Sequence, residues 1–246
     1  MQINKNILTL TDYEKNLPHH EMIFVEGGEF DMGGSDAEAR DNEKPVHRVR
    51  VSSFYMGKYP VTQALWQAVM GNNPSNFKGE NHPLEQVSWN DTKTFLQKLN
   101  DKTDKTYRLP TEAEWEFAAR GGIYSEGYLY AGSDKPSDVG WYDDNSGRQT
   151  QPVGQKYPNE LGLYDLSGNV WEWCEDVWYS NYIDAPVDGS AWVGSDERNA
   201  YRVYRGGSWL NNFQLCRVPV RTFRSPEAIV NNLGFRLALS LPVGDR

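Results

Sequence analysis

Residues 202–239 read RVYRGGSWLNNFQLCRVPVRTFRSPEAIVNNLGFRLAL, with regular-looking ends and an irregular middle. Arg205–Trp209 and Gly234–Leu237 bring glycine and aromatic residues together at the two ends. Between them, polar and apolar residues follow one another with neither helical nor strand periodicity. A varied segment held between rigid ends indicates a displayed surface more than a reaction centre.

The composition of the 246-residue chain disfavours several classes of protein. Its net charge of -9 argues against nucleic-acid binding, because an acidic surface repels phosphate groups. No apolar run approaches the roughly 20 residues that a membrane-spanning helix needs. The 22 glycines and 13 prolines predict short elements joined by many turns.

Capping residues and apolar spacing predict three helices. Thr62 is a good N-cap for the first helix, and Gly71 can end it in the left-handed conformation. Ser88 precedes a second periodic run that ends near Leu99. Thr111, followed by glutamate three residues later, forms a capping box that begins the third helix.

The N-terminal half also contains alternating runs that predict strands. Met22–Val25 and Glu29–Met32 flank a Gly-Gly pair and predict a hairpin. Val46–Met56 predicts a third strand. Residues 123–160 and 177–201 are irregular segments, long enough to suggest that something clamps them.

Two cysteines and four histidines offer little support for catalytic or transition-metal chemistry. Cys174 and Cys216 either form one disulfide or remain as buried thiols. Cys216 is the candidate nucleophile because Arg217 is adjacent, but residues 202–239 contain no histidine that could act as its base. The histidines lack the spacing of a zinc or iron site.

One stretch of the sequence combines carboxylates with a glycine turn and is a candidate calcium site. Asp165 and Glu172 supply carboxylates, and the turn at Gly168 lets the carbonyls of Gly168 and Val170 face the same point. The alternative for this stretch is an ordinary turn and strand with tryptophans in the core. A second acidic patch, at residues 138–145, is another possible calcium site, and the alternative there is solvated charge in a loop.

The ordered set of motifs resembles the formylglycine-generating enzyme (sulfatase-modifying factor) family over residues 22–240. The resemblance implies an α+β, C-type lectin-like domain with little regular secondary structure, covering residues 22–246 after an N-terminal arm of residues 1–21. The motifs are EGGEFDMGG (26–34), KYPVTQALWQAVMG (58–71), HPLEQVSWNDTKTFLQKLN (82–100), YRLPTEAEWEFAARGG (107–122), LGLYDLSGNVWEWCED (161–176), RGGSW (205–209) and NLGFRLAL (232–239).

The same resemblance bears on metals and catalysis. It implies a structural calcium ion held by Asp165, Gly168, Val170 and Glu172. Enzymes of the family hold copper(I) between two cysteines, and here Asn211 falls at the first position while Cys216 matches the second. An amide is a poor copper(I) ligand, so we expect no copper and no oxidase activity. The alternative is a metal-dependent oxidase, of the formylglycine-generating or sulfoxide-synthase type, with altered chemistry at Cys216.

Residues 202–239 also resemble the variable region of proteins diversified by retroelements. In that pattern Arg205–Trp209, Cys216-Arg217, Arg221, Pro226 and Gly234–Arg236 are constant, and we call them the frame residues. The resemblance implies ten variable positions that build a ligand-binding surface, although some of them, with Val218, could be core residues. The ten variable positions are Tyr204, Leu210, Asn211, Phe213, Leu215, Val220, Thr222, Phe223, Ser225 and Ile229.

These resemblances lead to a set of functional expectations. We expect a non-enzymatic binding protein whose partner is a protein or another macromolecule, and no nucleic acid. We expect it at the cell surface or outside the cell, although no signal is visible in this chain. Tethering would require a lipid anchor outside this sequence.

Overall fold

The computed structural model describes residues 9–11 (backbone only), 17–103, 105–194 and 200–241. The described residues contain a mixture of short helices and short strands, which confirms the predicted α+β class. None of the helices within these ranges is long and apolar enough to cross a bilayer.

All three predicted helices are present. Thr62 caps the first, accepting a hydrogen bond from the Leu65 N–H at 3.3 Å, and Gly71 ends it with a φ of 81°. Thr111 forms both hydrogen bonds of the predicted capping box. The second helix runs one turn further than predicted. The helices are α1 (Gln63–Met70), α2 (Trp89–Thr103), α3 (Glu112–Ala119) and a short α4 (Pro136–Val139).

The strands form three sheets. A five-stranded antiparallel sheet has the order β1-β2-β5-β11-β6, and a two-stranded sheet pairs β3 with β4. A four-stranded sheet has the order β10-β7-β8-β9. The strands are β1 (Thr9–Thr11), β2 (Glu21–Val25), β3 (Gly28–Met32), β4 (His47–Val51), β5 (Phe54–Gly57), β6 (Tyr107–Arg108), β7 (Trp171–Val177), β8 (Arg202–Arg205), β9 (Arg221–Arg224), β10 (Leu233–Phe235) and β11 (Ala238–Ser240).

The hairpin predicted around Gly27 and Gly28 was wrong. β2 pairs with β1 and β5, whereas β3 pairs with β4, so the chain leaves one sheet for another at Gly27. A side chain at Gly27 would lie 2.6 Å from the Val51 carbonyl oxygen, where the chain also changes sheet between β4 and β5. The predicted strand Val46–Met56 is therefore two strands. Alternation identified extended segments here, but it carried no information about their partners.

The four-stranded sheet contains three strands from residues 202–239, namely β8, β9 and β10. β8 pairs antiparallel with both β7 and β9, and β10 runs parallel to β7. Aromatic packing joins this sheet to the helices, because Trp66 of α1 stacks on Phe95 of α2 at 5.1 Å and Phe235 of β10 meets both rings edge-on. The sheet is thus a rigid base on which the intervening loops are displayed.

Candidate binding surface

The irregular middle of residues 202–239 forms two loops beside β9. The first joins β8 to β9 and includes a short 3-10 helix at Phe213–Cys216, and the second joins β9 to β10. Gly206 and Gly207 begin the first loop with φ values of 102° and 78°. A side chain at Gly207 would lie 2.5 Å from the Cys216 Sγ, so the frame requires glycine there for both conformation and space.

A buried ion-pair network fixes the first frame arginine. Arg205 is fully buried and donates hydrogen bonds to carboxylate oxygens of Glu112 and Glu116 on α3. It also donates to the Val218 carbonyl oxygen at 2.9 Å, on the far side of the loop. Buried Arg205 therefore links the loop between β8 and β9 to α3 through the protein interior.

Arg221 shares the same acidic helix. Its guanidinium donates to both carboxylate oxygens of Glu112, at 2.7 and 2.8 Å, and to the carbonyl oxygens of Asn42 and Tyr179. Burial raises the pKa of Glu112, but the charges of Arg221 and Arg205 outweigh burial and lower it overall. Glu112 thus remains ionised and holds two buried arginines at once.

Glu116 is held in its charged form by a similar balance. Burial opposes ionisation, but Arg120 and Arg205 lie beside the carboxylate and lower its pKa to about 2. The Gly33 N–H also donates to it at 2.9 Å. The acidic face of α3 therefore carries full charge in the neutral pH range.

Arg217 connects the variable region to a loop near the N-terminus. It donates to Glu43 at 3.0 Å, to Asp36 at 2.9 Å and to the Glu38 carbonyl oxygen at 3.1 Å. Because Arg221 binds the Asn42 carbonyl oxygen, two frame arginines hold residues 36–43.

The frame arginines are buried, whereas most of the variable positions are accessible at a cavity or on the surface. Arg205, Arg217, Arg221 and Arg236 are at most 2% exposed. Six of the ten variable positions instead line one cavity of about 300 Å³ beside β9. Those six are Tyr204, Leu210, Asn211, Leu215, Val220 and Thr222.

The remaining variable positions lie on the surface outside that lining. Phe213, Phe223 and Ile229 are between 38% and 55% exposed, and Ser225 is exposed as well. Phe223 stacks on Trp178 at 4.7 Å. The structure therefore gathers six of the predicted residues around a cavity and leaves four on the neighbouring surface.

Two of the cavity residues also belong to the core, as does Val218. Val220 is fully buried, and Tyr204 meets Trp171 and Trp173 edge-on at 5.1 and 5.6 Å. Leu210 is instead 53% exposed. The floor of the cavity is thus packed interior, and substitutions there would affect stability as well as recognition.

Cys216 and Asn211 have different surroundings. Asn211 lines the cavity, and its backbone carbonyl accepts from the Asp143 N–H at 2.9 Å. Cys216 is buried and packs with Tyr130, Val139 and Tyr142. Burial raises the pKa of its thiol to about 12, so the group is protonated and shielded.

The two cysteines are not joined. Cys174 and Cys216 are both free and buried, in agreement with the alternative of two separate thiols.

Protein donors already occupy the two carboxylates predicted to bind calcium. Glu172 accepts from Arg236 through both oxygens and from the Trp115 Nε1–H at 2.7 Å. Asp165 accepts from the Gly154 N–H at 2.8 Å and from the Asn169 amide at 3.2 Å. Among the described residues, no group of three or more His, Cys, Asp or Glu side chains is arranged for a metal. This arrangement does not fit calcium unless Arg236 moves, and the calcium site stays a prediction.

Comparison with known proteins identifies the family to which this architecture belongs. Residues 9–241 match the family described as the sulfatase-modifying factor enzyme 1-like domain. The chain belongs to this family. Its curated relatives include the chaperone protein LppX of Paenibacillus barcinonensis, at 34% identity over 80% of this chain and 81% of that protein. They also include the formylglycine-generating enzyme of Thermomonospora curvata, at 31% identity over 88% of this chain and 92% of that protein.

The match to a solved structure is similarly extensive. Treponema denticola variable protein 1 superposes with a TM-score of 0.83 at 31% sequence identity, covering 95% of this chain and 99% of that chain. The fold is therefore shared both with enzymes and with a protein named for its variability.

A buried acid behind the surface makes stability depend on pH. Glu85 accepts from the Phe77 N–H at 2.9 Å, while its other oxygen is buried without a hydrogen-bond partner among the described residues. Phe77 in turn packs edge-on against Trp209 at 5.1 Å. Burial raises the pKa of Glu85 to about 7, so the folded state holds a proton that the unfolded chain releases near pH 4.5.

We expect Glu85→Gln to remove part of this pH dependence. Because the pKa of Glu85 is raised in the folded state, its contribution to the free energy of unfolding of the wild type is greatest below about pH 4.5. This contribution declines as the pH rises to about 7. The variant should therefore be more stable than wild type at pH 8, by about 1–3 kcal/mol. Urea unfolding of both proteins from pH 4 to 8 measures the difference. Glu80→Gln, at an exposed position, makes the same change in net charge and should give no such trend.

Proposed function

We propose that this chain is a non-enzymatic binding protein that uses the variable positions between residues 204 and 229 as a diversified recognition surface. The observation that carries the proposal is the separation of the two sets of residues. The frame arginines are buried in ion pairs, whereas variable positions line one cavity and the surface beside it. The similarity to Treponema denticola variable protein 1 supports the same use of the fold.

The chemistry of the surface suits recognition. Phe213 and Phe223 offer exposed aromatic area, and Asn211 and Thr222 offer hydrogen-bonding groups at the cavity. Rigid aromatic anchors with adaptable polar neighbours are typical of surfaces that bind many different partners. The buried frame supplies the rigidity, because its ion pairs do not involve the variable side chains.

Diversification predicts that the fold tolerates change at the variable positions. In a display library that keeps the buried Tyr204 and Val220 and randomises the other eight variable positions, we expect most members to fold, since substitutions outside the core usually change stability by less than about 0.5 kcal/mol. A matched library at eight buried positions, including the frame arginines, should lose most members to protease. Equal loss in both libraries would contradict the proposal.

The same library tests recognition directly. Selection against unrelated immobilised proteins should yield different specific binders that share one frame. Failure to obtain any binder would argue against a recognition surface. In the genome, a reverse transcriptase gene and a near-repeat of codons 202–239 should lie nearby, and the absence of both would argue against diversification.

The family's curated relatives include enzymes, so oxidase chemistry is the second candidate. It would require Cys216, whose thiol is buried and whose pKa is raised to about 12. We propose that the chain binds no copper and oxidises no cysteine. Copper(I) titration and a peptide-cysteine oxidation assay test this, and stoichiometric copper with turnover would reverse the proposal.

A further inference from the structure

The cavity carries positive charge, although the whole chain has a net charge of -9. Arg40 and Arg224 line it, whereas none of the aspartates and glutamates that the structure describes does. Within the described residues neither guanidinium forms a hydrogen bond or ion pair. The other five arginines of residues 202–239 all donate to protein acceptors. Arg40 and Arg224 are therefore cations available to a ligand.

The frame holds Arg40 at the cavity. Arg217 binds the Glu38 carbonyl oxygen and the Glu43 carboxylate, on either side of Arg40. Arg221 binds the Asn42 carbonyl oxygen at 3.1 Å. Arg40 lies outside the variable region, so its charge would be present whichever residues occupy the variable positions.

Polar and apolar groups complete the cavity. The Asn211 side-chain N–H groups and the Thr222 hydroxyl donate to no other described residue, so they can join the arginines in binding an anion. Trp171, Leu215 and Leu233 line the same cavity with apolar surface. The lining thus suits a carboxylate on a short apolar stem.

We propose that this cavity receives an aspartate or glutamate side chain of a protein partner, which pairs with Arg40 and Arg224. The inference rests on the proposed binding function and specifies its ligand chemistry. About 300 Å³ is at the small end of pockets for free ligands. Arginine is enriched at protein interfaces, and the exposed side chain of Leu210 lines the same cavity as Arg40 and Arg224.

The test is a random dodecapeptide library on phage, panned against the wild-type protein. Enriched peptides should contain more Asp and Glu than the input library. Replacing the critical acid of a selected peptide by its amide should weaken binding about tenfold or more, because a charge-assisted hydrogen bond is lost. The protein variant Arg40→Gln/Arg224→Gln should weaken binding of the unaltered peptide to the same degree. This variant should remain folded, because both arginine side chains are exposed.

Arg48→Gln is the matched control, because Arg48 is also exposed but lies on β4 and does not line the cavity. It should change peptide affinity less than about twofold. Peptides that need Leu210 or Phe213 but bind equally well as amides would overturn the acidic-ligand inference and leave the proposed function intact. Saturable binding of inorganic phosphate without binding of any peptide, dependent on both arginines, would overturn the inference that the ligand belongs to a protein partner. Failure to enrich any peptide would count against both proposals.

Discussion

Glu112→Ala is expected to reduce the free energy of unfolding by about 3–5 kcal/mol or more, the loss typical when one partner of a buried ion pair is removed. Glu112 is 2% exposed and binds both Arg205 and Arg221. Without it, the remaining hydrogen-bond acceptors of Arg221 among the described residues are the carbonyl oxygens of Asn42 and Tyr179. A buried guanidinium without a counter-ion loses its Coulombic compensation but keeps the cost of desolvation.

Urea unfolding monitored by tryptophan fluorescence measures this loss. Glu112→Gln separates charge from volume and should also destabilise strongly, because the amide cannot neutralise either arginine. The control is Glu29→Ala, which removes a pair with Arg48 whose side chains are 55% and 59% exposed. That change should cost about 0–1 kcal/mol. Similar losses for Glu112 and Glu29 would show that the buried network contributes no more than a surface pair.

Local signals in the sequence predicted local structure well. Thr62, Gly71 and Thr111 act within one helical turn, and each has the predicted role. The hairpin around Gly27 failed because strand partners are chosen by packing across the whole chain. β2 pairs with β5, some 30 residues further along, and not with the adjacent β3.

The candidate surface shows the same limit. That the ten variable positions form a diversified binding surface stays a prediction. The sequence pattern named frame arginines that the structure buries, but it also placed Tyr204 and Val220, which are buried too, among the variable positions. It did not identify Glu112, Glu116 or Glu43 as partners of the frame arginines, since each lies far away in sequence. The signal in the sequence was the set of arginines among the apolar residues of this segment. Buried guanidinium groups need acidic partners, so these arginines indicated carboxylates elsewhere in the chain. Nothing local could place Arg40 at the cavity.

Arg236→Ala is the second change with a large expected effect, about 3–5 kcal/mol of stability. Arg236 is fully buried, binds both oxygens of Glu172, and donates to the carbonyl oxygens of Gly57 and Tyr164. Its removal leaves the Glu172 carboxylate with the Trp115 N–H as its remaining donor among the described residues. Arg236→Lys should recover part of the loss, because it restores the charge without the guanidinium geometry.

The same variant decides how calcium relates to this site. Glu172 is one of the predicted ligands, and the arginine now occupies the place of a cation beside it. If calcium binds wild type, its melting temperature should rise with calcium relative to chelator, and Glu172→Gln should abolish the rise. If the ion instead competes with Arg236, calcium should stabilise Arg236→Ala more than wild type, because the vacated carboxylate oxygens are hard ligands that calcium prefers. Equal melting temperatures with calcium and with chelator in both proteins would contradict a calcium site and leave Arg236 as the counter-ion of Glu172 among the described residues.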